Sequence, residues 1–328
     1  MTAIYRVVAT DRVSKKGLAP LRDDDRFEVV IVKDSSSPDF TSELKTAVGL
    51  VVRSATRVDA AMLDGAPDLK VVGRAGVGVD NIDVPAASER GVAVMNSPGG
   101  NTISAAELTM ALMLAVARRV TDADRSIREG RWERSALRGV ELRGKTLGVI
   151  GAGRIGWEVA QRCRAFGMDV IVYDPYLAAH RVEELHPHLV SLEHLIETAD
   201  VITLHVPLNA ETRGLIGDDA LRRMKKGAFI LNVSRGGVVD EAALARALHD
   251  QWIGGAGLDV YEHEPISPES PLLDAPNLVL TPHLGASTKE AQIQVALEVS
   301  RNIRAALARG DLSSAINATD LARAAGLS

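Results

Sequence analysis

Residues Leu147 to Gly156 read Leu-Gly-Val-Ile-Gly-Ala-Gly-Arg-Ile-Gly, the stretch that most restricts what this chain can fold into. The apolar run Leu147 to Ile150 predicts a buried parallel strand, and Gly151, Gly153 and Gly156 place a G-x-G-x-x-G turn at its end. Trp157 to Phe166 read as the helix that follows. The three glycines answer to different needs: a tight turn, close approach of a pyrophosphate to the backbone, and close packing of helix on strand. The helix start offers unpaired N–H groups to phosphate charge. Gly167 ends that helix, Met168 to Tyr173 read as a second strand, and Asp174 closes it 18 residues after Gly156. A carboxylate there can accept hydrogen bonds from both adenosine ribose hydroxyls. With 28 glycines in the chain the spacing alone would be weak evidence. The order strand, turn, helix, strand, acid distinguishes a dinucleotide turn from an ordinary βα turn.

A chain of 328 residues has room for about two domains, and 46% apolar residues supply two cores. The formal net charge of -5 argues against a nucleic-acid surface, which needs clustered excess Lys and Arg. An anionic ligand must then be held by a local basic pocket. The single cysteine, Cys163, excludes an internal disulfide and fits a reducing compartment. It shares a helical spacing with Ile155, Val159 and Phe166 and reads as a packed thiol. The N-terminus has no apolar signal segment, and no run approaches the roughly 18 apolar residues of a membrane span. A cytoplasmic protein with no membrane association is expected. No Cys/His cluster has zinc spacing, and His186-Pro187-His188 reads as a surface loop, so no metal is expected.

Before the glycine turn, Ile4 to Ala9, Phe27 to Val32, Leu50 to Arg53, Leu69 to Val72 and Val92 to Met95 read as strands. Ser42 to Val48, Asp59 to Leu63 and Pro85 to Glu89 read as helices between them. Alternation of this kind predicts a parallel sheet with helices on both faces, and ligands bind such sheets beyond the carboxyl ends of their strands. Two segments lie there: Arg53-Ser54-Ala55-Thr56, and Arg74 to Asp83. Gly76 and Gly78 would let backbone N–H groups face an anion, with Arg53 and Arg74 supplying charge. A Gly-rich turn with solvated arginines is the plainer alternative.

Pro98-Gly99-Gly100 breaks the pattern. Asn101 or Ser104 can cap a long helix whose Leu108, Ala111, Leu112, Ala115 and Val116 share a face and which ends near Arg118-Arg119, a natural domain link. Residues 121 to 146 read as a polar stretch. Trp132 within it suits either a subunit contact or local packing. After Asp174, strands at Val201 to Val206, Ala228 to Ser234, Gly257 to Val260 and Leu278 to Thr281 complete a six-strand set. Helices capped by Ser191 and Asp240 and one over Asp218 to Lys226 lie between them, and a last helix from Thr288 carries Ile293, Ala296, Leu297, Ile303 and Leu307 on one stripe.

Three polar residues fall just past strand ends in this second half: Arg235, Glu264 and His283. Oxidation of an alcohol by a nicotinamide needs a base for the hydroxyl proton, and a histidine titrating near neutrality can serve, contributing roughly 10²- to 10⁴-fold. A neighbouring carboxylate supports the protonated ring. Arginine's fork can grip a substrate carboxylate through two parallel hydrogen bonds. Against this, His283 is one of eight histidines, Glu264 competes with Glu262, and Arg235 could cap a loop carbonyl.

Taken together, Val52 to Thr56, Arg74 to Asp83, Asn96 to Thr102, the glycine turn, Asn232 to Gly237, Gly257 to Tyr261 and Thr281 to Thr288 resemble the NAD-dependent D-isomer-specific 2-hydroxyacid dehydrogenases across nearly the whole chain. Within that family the likeness is strongest to the branch that oxidises 3-phospho-D-glycerate to 3-phosphooxypyruvate in serine biosynthesis. The resemblance implies catalytic roles for Arg235, Glu264 and His283. It implies cofactor contacts at Val77, Gly151, Gly153, Arg154, Ile155, Gly156, Asp174, Val206, Val233, Asp259 and His283. Substrate contacts are implied at Arg53, Ser54, Arg74, Gly76, Val77, Arg134, Arg235 and His283. The family's fold implies two doubly wound parallel-sheet α/β domains, with a Rossmann cofactor domain at residues 98–287 inserted into a flavodoxin-like substrate domain at 1–97 plus 288–328. A homodimer built on the helix from Asn101 and the Trp132 segment is implied too, in which the arginine at Arg134 can reach a partner subunit's site.

A phosphorylated 2-hydroxy acid carries about three negative charges, which suits Arg53 and Arg74 beside Arg235. Asp174 should repel the 2′-phosphate of NADP, since two charges about 4 Å apart at an effective dielectric near 20 cost about 4 kcal/mol. NAD is the expected cofactor. Glyoxylate or hydroxypyruvate reduction is the nearest rival within the family, and an NAD-sensing corepressor-like binding protein is the rival of another class. Formate-type chemistry is disfavoured because those relatives place Gln where this chain has Glu264. Many members of the phosphoglycerate branch carry C-terminal regulatory domains, whereas this sequence ends at Ser328, as a short natural form or a truncated one would. Serine feedback through such a domain is not expected from these residues.

Overall fold

The computed structural model describes residues 4–178, 180, 182–183 and 187–324, so that His186 of the expected surface loop lies outside the described residues. Its contacts divide the chain into two units, Met1–Asn101 with Ala286–Ser328, and Thr102–Gly285.

The first unit begins with β1 (Tyr5–Ala9), α1 (Ala19–Arg22), β2 (Phe27–Ile31), α2 (Pro38–Leu44), β3 (Gly49–Val52), α3 (Ala60–Asp64), β4 (Val71–Arg74), α4 (Val84–Glu89) and β5 (Ala93–Met95). The strands form one parallel sheet in the order β2-β1-β3-β4-β5. Its strands alternate in period two between two cores. Val7, Ala9, Val51 and Val71 belong to one, and Val8, Leu50, Val52 and Val72 to the other. Both faces are thus covered, as buried parallel strands require. The helix placed from Ser42 forms earlier, from Pro38, because Ser37 supplies an extended N-cap and Pro suits the first helical position. The fourth strand likewise sits two residues later than its apolar run suggested, with Arg74 as its last residue.

The second unit opens with α5 (Thr102–Arg118) and α6 (Val120–Arg128). The α6 helix lies inside a stretch whose polarity concealed it; Arg119 in a left-handed conformation separates it from α5. On α5 the buried residues include Ala105, Ala106, Met110, Leu112, Met113, Val116 and Ala117, whereas Ala111 is exposed. The buried face is wider and rotated from the expected one because α5 packs on β-strands and on a second helix at once. Then follow β6 (Thr146–Ile150), α7 (Arg154–Ala165), β7 (Asp169–Tyr173), α8 (Leu192–Thr198), β8 (Val201–Leu204), α9 (Asp218–Arg223), β9 (Phe229–Asn232), α10 (Glu241–His249), β10 (Gly255–Leu258) and β11 (Leu278–Leu280). They build a six-stranded parallel sheet, order β11-β10-β9-β8-β6-β7. Ser191 and Asp240 cap α8 and α10 through side-chain oxygens that accept the N–H of His194 and Ala243.

Strand β10 forms two residues before its expected place, and its small residues explain why. A Cβ on Gly255 would lie 2.7 Å from Val116, and one on Gly257 3.1 Å from Leu112, so their absence lets α5 lie against the sheet. Cys163 on α7 is buried against Met110 and Met113, and burial pushes its thiol up to about 12. Its predicted stripe partner Phe166 is 46% exposed, since the helix has ended by then.

The chain returns to the first unit with α11 (Lys289–Arg309), capped by Thr288, and α12 (Ala318–Ala324). The residues of α11 that are buried are Ala291, Val295, Ala296, Val299, Ser300 and Ile303, while Ile293, Leu297 and Leu307 are only partly covered. No helix among the described residues is long and apolar enough to cross a membrane.

Candidate active site

Each glycine of the turn after β6 has a separate physical reason to be glycine. Gly151 has φ +90° and a Cβ there would lie 2.5 Å from the His205 carbonyl oxygen. A Cβ on Gly156 would lie 2.1 Å from the Gly151 carbonyl oxygen, which fixes how closely α7 sits on its strand. Gly153 is different: a Cβ on it would meet nothing within 4 Å. The space beside Gly153, at the first turn of α7, is what a pyrophosphate needs.

This turn forms one wall of a cavity of about 750 Å³ that reaches to Asp174 and Tyr176 after β7 and to Val206 and Glu211 after β8. It lies at the point where the strand order reverses, between β6 and β8. Asp174 accepts the N–H of Ala152 at 2.8 Å and that of Tyr176 at 3.0 Å, so its carboxylate is anchored at the cavity edge. Arg154 is exposed on the first turn of α7 and lines the same cavity, with Ile155 behind it. His205 hydrogen-bonds Thr203 at 2.9 Å, and burial pushes its imidazole down to about 3, leaving it neutral.

At the carboxyl ends of β9, β10 and β11 the same unit brings three loops together. His283 Nδ1 lies 2.7 Å from Glu264 Oε2, and the other carboxylate oxygen of Glu264 accepts the Tyr261 N–H at 3.2 Å. With the carboxylate taking Nδ1–H, the imidazole keeps its Nε2 as the open, proton-accepting nitrogen. His283 has φ +54°, a left-handed conformation unusual for a residue other than Gly or Asn. Asp259 holds that turn: its fully buried carboxylate accepts the Thr281 hydroxyl at 2.6 Å, the Leu284 N–H at 2.7 Å and the Gly285 N–H at 2.8 Å. Tyr261 adds a tie by donating its hydroxyl to the Thr281 carbonyl at 2.8 Å, and burial raises that phenol to about 12.

The Arg235 loop is built by Asn232, whose amide donates to the Arg235 carbonyl at 2.9 Å while its oxygen accepts the Ser234 N–H and hydroxyl. A Cβ on Gly236 would fall 1.8 Å from the Tyr261 carbonyl oxygen, so the Arg235 and Glu264 loops touch through backbone. Val233, buried just before Arg235, completes this wall.

In the first unit a second group of predicted residues sits at the carboxyl edge of its sheet. Arg74 Nε donates to Asn81 Oδ1 at 3.0 Å, and the Asn81 amide donates to the carbonyls of Arg53 and Thr56. The turn from Gly76 is pinned by Ser97 N–H to the Gly76 carbonyl and Asn96 to the Val77 carbonyl. The N–H groups of Val77 and Gly78 find no acceptor among the described residues, which leaves them available to an anion. Ser54 is exposed beside Arg53. Arg134 stands apart from both groups on the exposed segment after α6.

Most predicted residues therefore fall into three clusters, and one prediction changes meaning. Asp259 was expected as a cofactor contact, but its oxygens serve Thr281, Leu284 and Gly285, which makes it the residue that positions the His283 turn. Sequence reasoning missed the tethers themselves: Asn232, Tyr261, Asn81 and Asp11, whose roles depend on partners far along the chain. Among the described residues no group of three His, Cys, Asp or Glu could hold a metal ion.

Residues 110–285 match the family described as D-isomer specific 2-hydroxyacid dehydrogenase, NAD binding domain. The chain is 48% identical over 298 residues to D-3-phosphoglycerate dehydrogenase of Archaeoglobus fulgidus and 46% identical over 300 residues to that of Bacillus subtilis. These matches cover 91% and 92% of this chain but 56% of each relative, so the chain spans little more than half their length. Among solved structures it is similar to the TT0316 protein of Thermus thermophilus, with a TM-score of 0.85, 39% identity, and 95% of this chain and 99% of that chain covered. A glyoxylate reductase from Paecilomyes thermophila gives a TM-score of 0.83 at 31% identity, covering 96% of this chain and 99% of that one.

Proposed function

The chain belongs to the D-isomer-specific 2-hydroxyacid dehydrogenases, and on that premise we propose that it oxidises 3-phospho-D-glycerate to 3-phosphooxypyruvate with NAD, a step of L-serine biosynthesis. The observation that carries the reading is the 2.7 Å hydrogen bond that fixes His283 on Glu264 in the unit that also holds the glycine turn. The turn fits a dinucleotide: open space beside Gly153, no room for a side chain at Gly151 or Gly156, and a tethered Asp174 at the far edge. The cofactor supplies an acceptor for the hydride leaving the substrate's hydroxyl-bearing carbon. Gly151, Gly153, Arg154, Ile155 and Gly156 would hold its pyrophosphate region and Asp174 its adenosine ribose, with Val206 and Val233 on the apolar walls.

The chain's own residues then divide the work. His283 Nε2 takes the hydroxyl proton and Glu264 keeps the ring in the tautomer that leaves Nε2 open. Arg235 grips the carboxylate next to the reacting carbon through two parallel hydrogen bonds. Arg53, Ser54, Arg74 and the amides of Gly76 and Val77 take the remaining charge of a phosphorylated 2-hydroxy acid. Asp174 favours NAD over NADP by repelling a 2′-phosphate.

Trp132 is 81% exposed, and Ile103, Val120 and Ile127 are about half exposed on the neighbouring helices of the same unit. An apolar set of this kind supports a homodimer through α5, α6 and the Trp132 segment, with Arg134 offered to the partner's site. Light scattering should give a dimer for the wild type and a monomer for Trp132→Glu; a wild-type monomer contradicts this assembly. We assign the reaction to the cytoplasm, in keeping with the single buried thiol.

A panel of 2-hydroxy and 2-oxo acids followed at the NADH absorbance tests the activity. NADH formation from 3-phospho-D-glycerate, lost when the phosphate is removed, is expected. Equal efficiency without the phosphate would favour glyoxylate or hydroxypyruvate reduction, and no turnover with any acid would favour an NAD-sensing binding protein.

A further inference from the structure

At the carboxyl end of β1, Asp11 and Arg12 both adopt left-handed backbone conformations, φ +57° and +54°. Neither is glycine, so this turn costs free energy that something else must offset. The offset is visible. Asp11 is buried, and its carboxylate accepts the Arg53 N–H at 2.9 Å, the Thr56 N–H at 3.0 Å and the Thr56 hydroxyl at 2.6 Å. The turn after β1 is thereby fastened to the turn after β3. Asn81 fastens the turn after β3 in the same way to Arg74 at the end of β4.

These three strands are neighbours in the sheet, and adjacent strands lie about 4.8 Å apart. Arg12, Arg53 and Arg74 are therefore carried side by side on one sheet edge, on turns locked to one another. Asp11 is committed to Arg53 and Thr56, and among the described residues no carboxylate forms a salt bridge with Arg12 or Arg53. Arg12 is exposed, while Val13 after it is buried and anchors the turn. A strained turn that projects a cation with no internal partner, beside two cations already assigned to an anionic substrate, has the construction of a binding element.

We propose that Arg12 is a third cation of this anion cradle and contacts the phosphate of the phosphorylated 2-hydroxy acid. The proposal rests on the substrate class assigned above. It makes Arg12 a specificity-determining residue that separates phosphorylated from plain hydroxy acids and takes no part in the chemical step.

The test compares wild type, Arg12→Asn and Arg12→Lys, in the intact chain. Asn tolerates the left-handed conformation, so the turn survives while the charge goes. For 3-phospho-D-glycerate, Arg12→Asn should raise KM and the calorimetric Kd about tenfold, the effect of one exposed charge-assisted contact. Its kcat should stay within about twofold, D-glycerate kinetics should not move, and Arg12→Lys should recover most of the affinity. Unchanged affinity in Arg12→Asn, or an equal loss with D-glycerate, overturns the proposal while leaving the activity standing. Wild type that binds 3-phospho-D-glycerate without oxidising it, with binding weakened in Arg12→Asn, sinks the activity and upholds the cradle. Wild type that does not bind it overturns both.

Discussion

Two turns in the second unit stand at the ends of buried parallel strands and hold their surroundings in opposite ways. The turn after β6 works by leaving atoms out: Gly151 and Gly156 admit close backbone contacts, and Gly153 leaves a space. The turn after β11 works by adding tethers. His283 is bent into a left-handed conformation, and Asp259, Tyr261 and Glu264 hold it there with hydrogen bonds of 2.6 to 3.3 Å. A ligand cradle has to be empty before binding, whereas a side chain that moves a proton has to be fixed to within a fraction of an ångström. The contrast follows from the two jobs.

Breaking the first turn should have the largest effect. Gly156→Val puts a branched side chain where even a Cβ lies 2.1 Å from a carbonyl oxygen. NAD affinity should fall by more than about 100-fold, with turnover undetectable, because helix and strand can no longer close. Circular dichroism separates this from global unfolding. Asp259→Asn breaks the second turn instead. The amide cannot accept from all of Thr281, Leu284 and Gly285, so kcat should fall by about 10- to 100-fold and stability by about 1.5–3 kcal/mol, with NAD affinity nearly kept. If Asp259→Asn lost NAD affinity and kept kcat, the division of labour between the turns would be wrong.

Smaller effects sharpen the picture. Asp174→Ala should shift the NAD/NADP preference toward NADP by about tenfold or more, read from the ratio of kcat/KM values. At the small end is Cys163, which lies beneath the first turn and has no chemical part. With burial holding its thiol up to about 12, a thiol reagent at pH 8 should label unfolded protein and leave native protein unlabelled. Because that value is raised on folding, its contribution to stability is complete below the ordinary thiol value of 9.0 and is lost as pH rises toward about 12. His205, neutral with its value pushed down to about 3, should leave the pH–rate profile near neutrality unchanged when replaced by Asn.

How much of this was readable in the sequence follows the same division. A glycine spells out its conformation locally, so the β6 turn, its helix and Asp174 could be placed from spacing alone. Helix caps were local too, and Ser191, Asp240 and Thr288 stand where their side chains predicted. The catalytic trio was visible as polar residues past strand ends. Its tethers were not, since Asp259 acts on residues more than twenty positions away and Asp11 on residues more than forty away. Polarity hid α6, and small residues shifted β10, because both are set by what packs against them rather than by local preference.

The central claim is that His283, held by Glu264, accepts the substrate's hydroxyl proton. Its most direct test is kcat for 3-phospho-D-glycerate oxidation together with the NAD dissociation constant, in wild type and His283→Ala. A fall in kcat of about 10²- to 10⁴-fold with NAD binding within a few-fold of wild type is predicted. Near-normal kcat in His283→Ala would contradict it and move proton transfer to another residue.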